Sequence, residues 1–383
     1  MLTFTSRCRP DSLAAVPIRR LAVGCLSGGD PVIQLRSSVL HVAIACHGAR
    51  IARLAAPDRD GTMAEVVLGL DEDAYPADQD YLGATVGRYA NRIADGRFVL
   101  DGTEHRVPCN EGTVALHGGA GGLDHATFKP GPVVPTDDGA SLALRHVSPA
   151  GHNGFPGTLD VTVTYTVSGG ELRIGFVATT DAPTVVNLTN HAYFTLGGTP
   201  EDVGELEVAI FADRYLPIDT RLLPTGDLAP VAGTVFDLRE MTPLRERLDA
   251  DDPQAGIVGG FDHTWVLDGS GPAGADPVPT ADHAPTADGR PLATAARVRH
   301  PRSGRIMRVF TDQPGVQFYT GNLLDGTLAL HTGGTAHRGE AFCLEPQHFP
   351  DSPNRPHFPS TVLRPGETYH AHSVYRFEVS AAE

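Results

Sequence analysis

The 383-residue chain is 41% hydrophobic and 20% charged, ample to bury a core as one large β domain or two smaller ones. A formal net charge of -16 excludes the basic surface of a nucleic-acid binder and favours a neutral or cationic ligand. No stretch reaches the roughly 18 to 20 consecutive apolar residues of a transmembrane helix, so no membrane partner is expected.

Gly 43 and Pro 31 suit many strands joined by turns. Cys8, Cys25, Cys46, Cys109 and Cys343 are odd in number and contain no C-x-x-C pair, which points to free thiols in a reducing, cytoplasmic setting rather than to a disulfide framework or a zinc site. Near the N-terminus, Arg19-Arg20 precedes an apolar segment of only a few residues, too short for the h-region of a signal. Residues 1–36 therefore read as an extension, and 37–383 as one all-β domain. Strand patterns run through 40–45, 50–54 and 64–70. Asp101-Gly102 between 96–100 and 104–107 is a hairpin signal. Residues 159–167 and 172–177 alternate strictly around Gly169-Gly170, as antiparallel strands with one wet face do. Short helices are expected only near 241–248. Residues 269–290, rich in Gly, Pro, Ala and Asp, read as a low-complexity insertion loop. Strands return at 295–300, 305–310, 316–320, 342–345 and 375–379. The architecture expected is a large antiparallel β-sandwich with few short helices.

Polar clusters sit beside these strands: Asn91-Arg92, His117 with its glycines, Asn190-His191, Asp262, Gln317 and Glu345. Each hydroxyl of a sugar wants a donor and an acceptor, and this set supplies both. The segments Gly87-Arg88-Tyr89-Ala90-Asn91-Arg92-Ile93, Leu116-His117-Gly118-Gly119, Asn187-Leu188-Thr189-Asn190-His191-Ala192-Tyr193-Phe194, Gly260-Phe261-Asp262-His263, Gln313-Pro314-Gly315-Val316-Gln317 and Phe342-Cys343-Leu344-Glu345 resemble, in order, the motifs of the aldose 1-epimerase (galactose mutarotase) family. The resemblance implies a β-sandwich of the galactose mutarotase type and interconversion of the α and β anomers of free hexoses such as galactose and glucose, without a cofactor or metal. It implies Glu345 as general base and His191 as general acid, with Asn91, Arg92, His117, Asp262 and Gln317 binding substrate. A monomer or homodimer is expected.

Ring opening needs a base at the C1 hydroxyl and an acid at the ring oxygen, and a carboxylate and an imidazole suit both tasks. The two side chains are expected in one pocket, on opposite edges of a bound hexose. Pro346 and Leu123 depart from the family pattern and bear on substrate preference. Arg88 reads as a structural clamp, and His370 with His372 as an exposed pair rather than a metal site. Rival readings are a hexose-6-phosphate 1-epimerase, which would need several basic residues around the phosphate, and a non-catalytic sugar-binding protein. A glycoside hydrolase would want two carboxylates flanking the bond.

Overall fold

The alternation in 159–168 becomes the strand Leu159–Ser168, whose Leu, Val and Tyr side chains are buried while the intervening Asp, Thr and Ser are half-buried. Gly169, at φ 52°, turns it into Glu171–Thr180. The computed structural model describes residues 31–267 and 292–380. Every strand pair among the described residues is antiparallel. The largest sheet has ten strands. Its central run is Gly139–Ser148, Leu159–Ser168, Glu171–Thr180, Tyr369–Val379, Arg305–Thr311 and Ala293–Arg299.

Two smaller sheets lie against it. One has four strands, Val32–Arg36, His41–Ala45, Arg50–Pro57 and Met63–Glu65. The other has five, with Asp262–Val266, Gly315–Tyr319 and Cys343–Gln347 side by side at one end. A single hydrophobic core draws on all three sheets, with Val163 and Ile174 from the large one, Leu54 from the four-stranded one, and Phe318 and Leu344 from the five-stranded one. Such a two-layer arrangement lets each sheet bury one face. Tyrosine hydroxyls tie the layers. Tyr375 Oη donates to the Leu344 carbonyl at 2.9 Å, and Tyr165 Oη donates to that of Ala49.

The Asp101-Gly102 hairpin forms as expected, with φ of 49° and 80°, the two positive values that a type I′ turn requires. The sheet begins earlier than the sequence suggests. Val32–Arg36, assigned above to the extension, pairs with His41–Ala45 through alternate burial of Ile33 and Leu35. Residues 1–30 and the expected insertion 269–290 lie outside the described residues. Of the two short α-helices among the described residues, Leu244–Leu248 falls in the expected window and Pro253–Val258 does not. The second carried its own signals: Asp252 caps the N–H groups of Gln254 and Ala255, proline follows at the first turn, and left-handed Gly259 ends it.

Candidate active site

A cavity of about 420 Å³ opens at the edge of the five-stranded sheet, inside the roughly 300–1,000 Å³ range of small-molecule sites. Strand periodicity builds one of its walls. Thr264, Gln317 and Glu345 stand opposite one another across three neighbouring strands. Asp262, Tyr319 and Cys343, two residues along each strand, share that face. The intervening Phe318 and Leu344, with Trp265 just beyond Thr264, point into the main core. Glu345 is thereby held by a wholly buried strand at the floor of a polar cavity.

The facing wall comes from a clamp of irregular backbone. Thr189–Asn190 pairs with Thr85–Val86, and His191 N donates to the Ala84 carbonyl at 2.9 Å. Phe194 exchanges two backbone hydrogen bonds with Phe342. This fixes His191 with its Nε2 3.8 Å from Glu345 Oε1 and its Nδ1 3.6 Å from Cys343 Sγ. Acid and base candidates are thus neighbours rather than facing one another across a hexose, which corrects the expected arrangement. The reason lies in the backbone: the Phe194–Phe342 bridge lays the segment that carries His191 beside the strand that carries Glu345.

Asn91, Arg92 and His117 arrive together because Arg92–Ala94 pairs with Val114–Leu116. Asn91 and His117 both adopt positive φ, 62° and 52°, and each donates its backbone N–H toward the other residue. Asn91 N donates to His117 Nδ1 at 3.2 Å. A backbone N–H can only donate, so Nδ1 carries no proton and His117 Nε2–H is its donor. The following glycine is needed for backbone crowding: Gly118 has φ 90°, and a Cβ there would sit 2.2 Å from the Gly87 carbonyl oxygen.

Of the residues expected from sequence, Asn91, Arg92, His117, His191, Asp262 and Glu345 line the cavity. Gln317 does not. Its Nε2 donates to Asp262 Oδ1 at 2.6 Å and its Oε1 accepts from Thr264 Oγ1 at 2.5 Å, so it stands behind Asp262. The amides flanking His191 are also structural. Asn190 Nδ2 donates to the Gly83 carbonyl, and Asn187 bonds the backbones of Ala90 and His348. Arg88 clamps the carbonyls of Ser148, Pro156 and Gly157, the structural role its position suggested. Leu123 lies in the main core and Pro346 on the buried strand beside Val316; neither lines the cavity.

Sequence reasoning missed Glu111, Tyr193, Tyr319 and the acidic pair Asp78 and Asp80 in the wall. The tyrosines belong to motifs already singled out, and the Tyr193 ring packs 5.0 Å from that of His191. Glu111 left no such signal. It reaches Arg92 from a turn, accepting from Nε at 2.6 Å and Nη2 at 2.9 Å. Arg92 Nη1 also lies 3.6 Å from Asp262 Oδ2.

Burial dominates the electrostatics. It pushes the Glu345 carboxyl well above the usual carboxylate range; neighbouring Asp262 adds to this and Arg92 opposes it. Glu345 Oε2 is buried without a partner. Burial also lowers His191 to about 4 and His117 well below an ordinary imidazole. Asp262 is raised by burial, with Arg92 and Gln317 opposing. Burial thus disfavours the charged form of both candidate proton-transfer groups, while Arg92 favours the Glu345 carboxylate. His191, Cys343 and Glu345 also offer metal-ligand atoms within 4.8 Å of one another. An ion held there would occupy both proton-transfer groups.

A family model described as aldose 1-epimerase matches residues 31–376. The chain is 44% identical to the galactose mutarotase of Rattus norvegicus, over 95% of this chain and 100% of that one. It is 35% identical to the aldose 1-epimerase of Escherichia coli (strain K12), over 91% of this chain and 96% of the relative. A solved aldose epimerase homologue from C. elegans, 30% identical, matches with a TM-score of 0.78 over 92% of this chain and 99% of that one.

Proposed function

The chain belongs to the aldose 1-epimerase family and is an isomerase, a mutarotase of free hexoses, and we propose that Glu345 and His191 are the base and acid of its reaction. The observation that carries the assignment is their adjacency, 3.8 Å apart in one buried cavity. Glu345 accepts the proton of the C1 hydroxyl as the bond between C1 and the ring oxygen breaks, and His191 delivers its proton to that oxygen. Rotation about C1–C2 in the open aldehyde presents the other carbonyl face. Closure returns both protons, so the step is balanced without a co-reactant. Each transfer of this kind contributes about 10²- to 10⁴-fold.

Neutral His117, donating from Nε2, supports charge on the ring oxygen; Arg92 offers its Nη1 donors and Asp262 its oxygens to sugar hydroxyls, and Gln317 holds Asp262 in place. Asn91 fixes Arg92 and His117 as a unit. Galactose and glucose are the proposed substrates. Polarimetry on fresh α-glucose and α-galactose tests the reading: the protein should speed the approach to anomeric equilibrium, and Glu345→Gln or His191→Asn should abolish most of that effect. A wild type that does nothing sinks the activity; variants that keep full rate sink the residue roles.

Among the described residues, no helix is long and apolar enough to cross a membrane. The proposed setting is the cytoplasm, as a monomer or homodimer without a nucleic-acid partner, in keeping with the net charge of -16 and the free thiols of Cys109 and Cys343.

A further inference from the structure

Among the described residues, Arg92 is the only lysine or arginine in the cavity wall, against six carboxyl side chains: Asp78, Asp80, Glu111, Asp124, Asp262 and Glu345. One of these six is balanced from elsewhere, Asp78 by buried Arg50 at 2.7 Å, while Asp124 lies 3.2 Å from the His125 imidazole. The Arg92 charge is already taken. Glu111 grips it through both oxygens and Asp262 stands on its other side. One guanidinium between two carboxylates leaves a local excess of negative charge. A planar two-bond grip is also the strongest arrangement an arginine makes with a carboxylate, and an incoming anion would have to displace it.

We propose that Glu111 is a specificity-determining residue: by occupying Arg92 it excludes sugars that carry a carboxylate or phosphate and confines the cavity to neutral hexoses. The inference rests on the mutarotase reading and deepens it. Neutral hydroxyls lose nothing by the arrangement, because Glu111 uses Nε and one N–H of Nη2 and leaves the Nη1 donors beside Asp262. An anion gains no free cation and meets like charges in a low-dielectric pocket. Glu111 is also separable from the rest of the site. It sits on the turn bridged to Val114, away from the strands that carry Glu345 and Asp262, and its side chain is one-third exposed.

The test compares D-galactose with D-galacturonate, which differ at C6 by a carboxylate in place of a hydroxymethyl group, using polarimetry on the full-length protein. The wild type should use galactose at least about tenfold better in kcat/KM. Glu111→Gln should shift the galacturonate-to-galactose ratio of kcat/KM upward by about tenfold, mainly through a lower galacturonate KM that rises again with salt. Glu111→Asp, which keeps the charge, should retain the wild-type ratio. If Glu111→Gln lowers both sugars equally and leaves the ratio unmoved, Glu111 merely holds Arg92 in place and the inference is overturned. A wild type that treats the two sugars alike overturns it as well, whatever the variant's folding. A wild type inactive on galactose removes the mutarotase reading and the inference together, whereas the first two results remove the inference alone.

Discussion

His191 Nε2 and Glu345 Oε1 lie 3.8 Å apart, and the second oxygen of that carboxyl has no partner. A buried carboxyl in this state costs stability, in keeping with the role proposed for it as base. Glu345→Gln, which preserves shape and removes the ionisable group, should cut kcat by about 10²-fold or more while leaving the melting temperature at or above that of the wild type. Calorimetry beside polarimetry checks both halves, and a large drop in melting temperature would mean that Glu345 is structural.

The same pair sets the pH dependence. Burial lowers His191 to about 4 and raises Glu345 above the usual carboxylate range, so the two titrate in the reverse of their ordinary order. Below about 4 an added proton leaves Glu345 unable to accept; above the raised Glu345 value the proton His191 must deliver is gone. The profile of kcat/KM should have an acid limb near pH 4 that belongs to His191. In His191→Asn the residual activity should lose that limb, and a limb that persists assigns it to another group.

Arg92 holds the Glu345 carboxyl down against burial and Asp262. In Arg92→Ala the alkaline limb should therefore move to higher pH. The variant should also lose about 3 kcal/mol of stability, because Asp262 and Glu111 are left without their partner. An unmoved limb in a folded variant would refute the electrostatic role.

Acid should unfold this protein through its buried histidines. His263 is lowered to about 3 and His348 to about 4 by burial, from 6.5. Their folded values lie below the unfolded one, so the folded state binds fewer protons; stability is complete above about 6.5 and falls as pH drops toward 4. His263 packs 4.6 Å from Phe236 with Nε2 unpartnered. His263→Leu should flatten the decline in melting temperature between pH 6.5 and 4, and an unchanged slope would rule His263 out as a contributor.

Tyr165→Phe should remove the bond to the Ala49 carbonyl and the support to Asn190 Nδ2, costing about 1 kcal/mol. A melting temperature lower by about 2 °C, with the sheet signal in circular dichroism unchanged, is the expected result.

Much of this molecule was legible because period-2 patterning states directly which residues face the core, as in Leu159–Ser168. Six of the seven residues expected in the site line the cavity, and each sits in a motif on or beside a strand. The rest depended on contacts that no local pattern encodes. Glu111 meets Arg92 only because the intervening strands fold back on one another. Gln317 looked like a ligand contact, and only its register opposite Thr264 shows that its amide bonds Thr264 and Asp262 behind the cavity wall. Asn190, grouped with His191 among the polar clusters, bonds the Gly83 carbonyl instead, since an amide that bonds a loop and one that bonds a sugar look identical in one dimension.

The alternation of Asp262–Thr264, Gln317–Tyr319 and Cys343–Glu345 against Trp265, Phe318 and Leu344 carries a further implication. In these three strands, parity itself separates the face that presents Asp262, Tyr319 and Glu345 to the cavity from the face packed in the core. Loss of a single residue ahead of Glu345 would rotate a leucine into the cavity and drive a carboxylate among Phe318 and Trp265. Substitutions here can be graded, but length changes cannot: the strands should reject insertions and deletions outright, leaving the connecting turns as the places where relatives of this chain can differ in length.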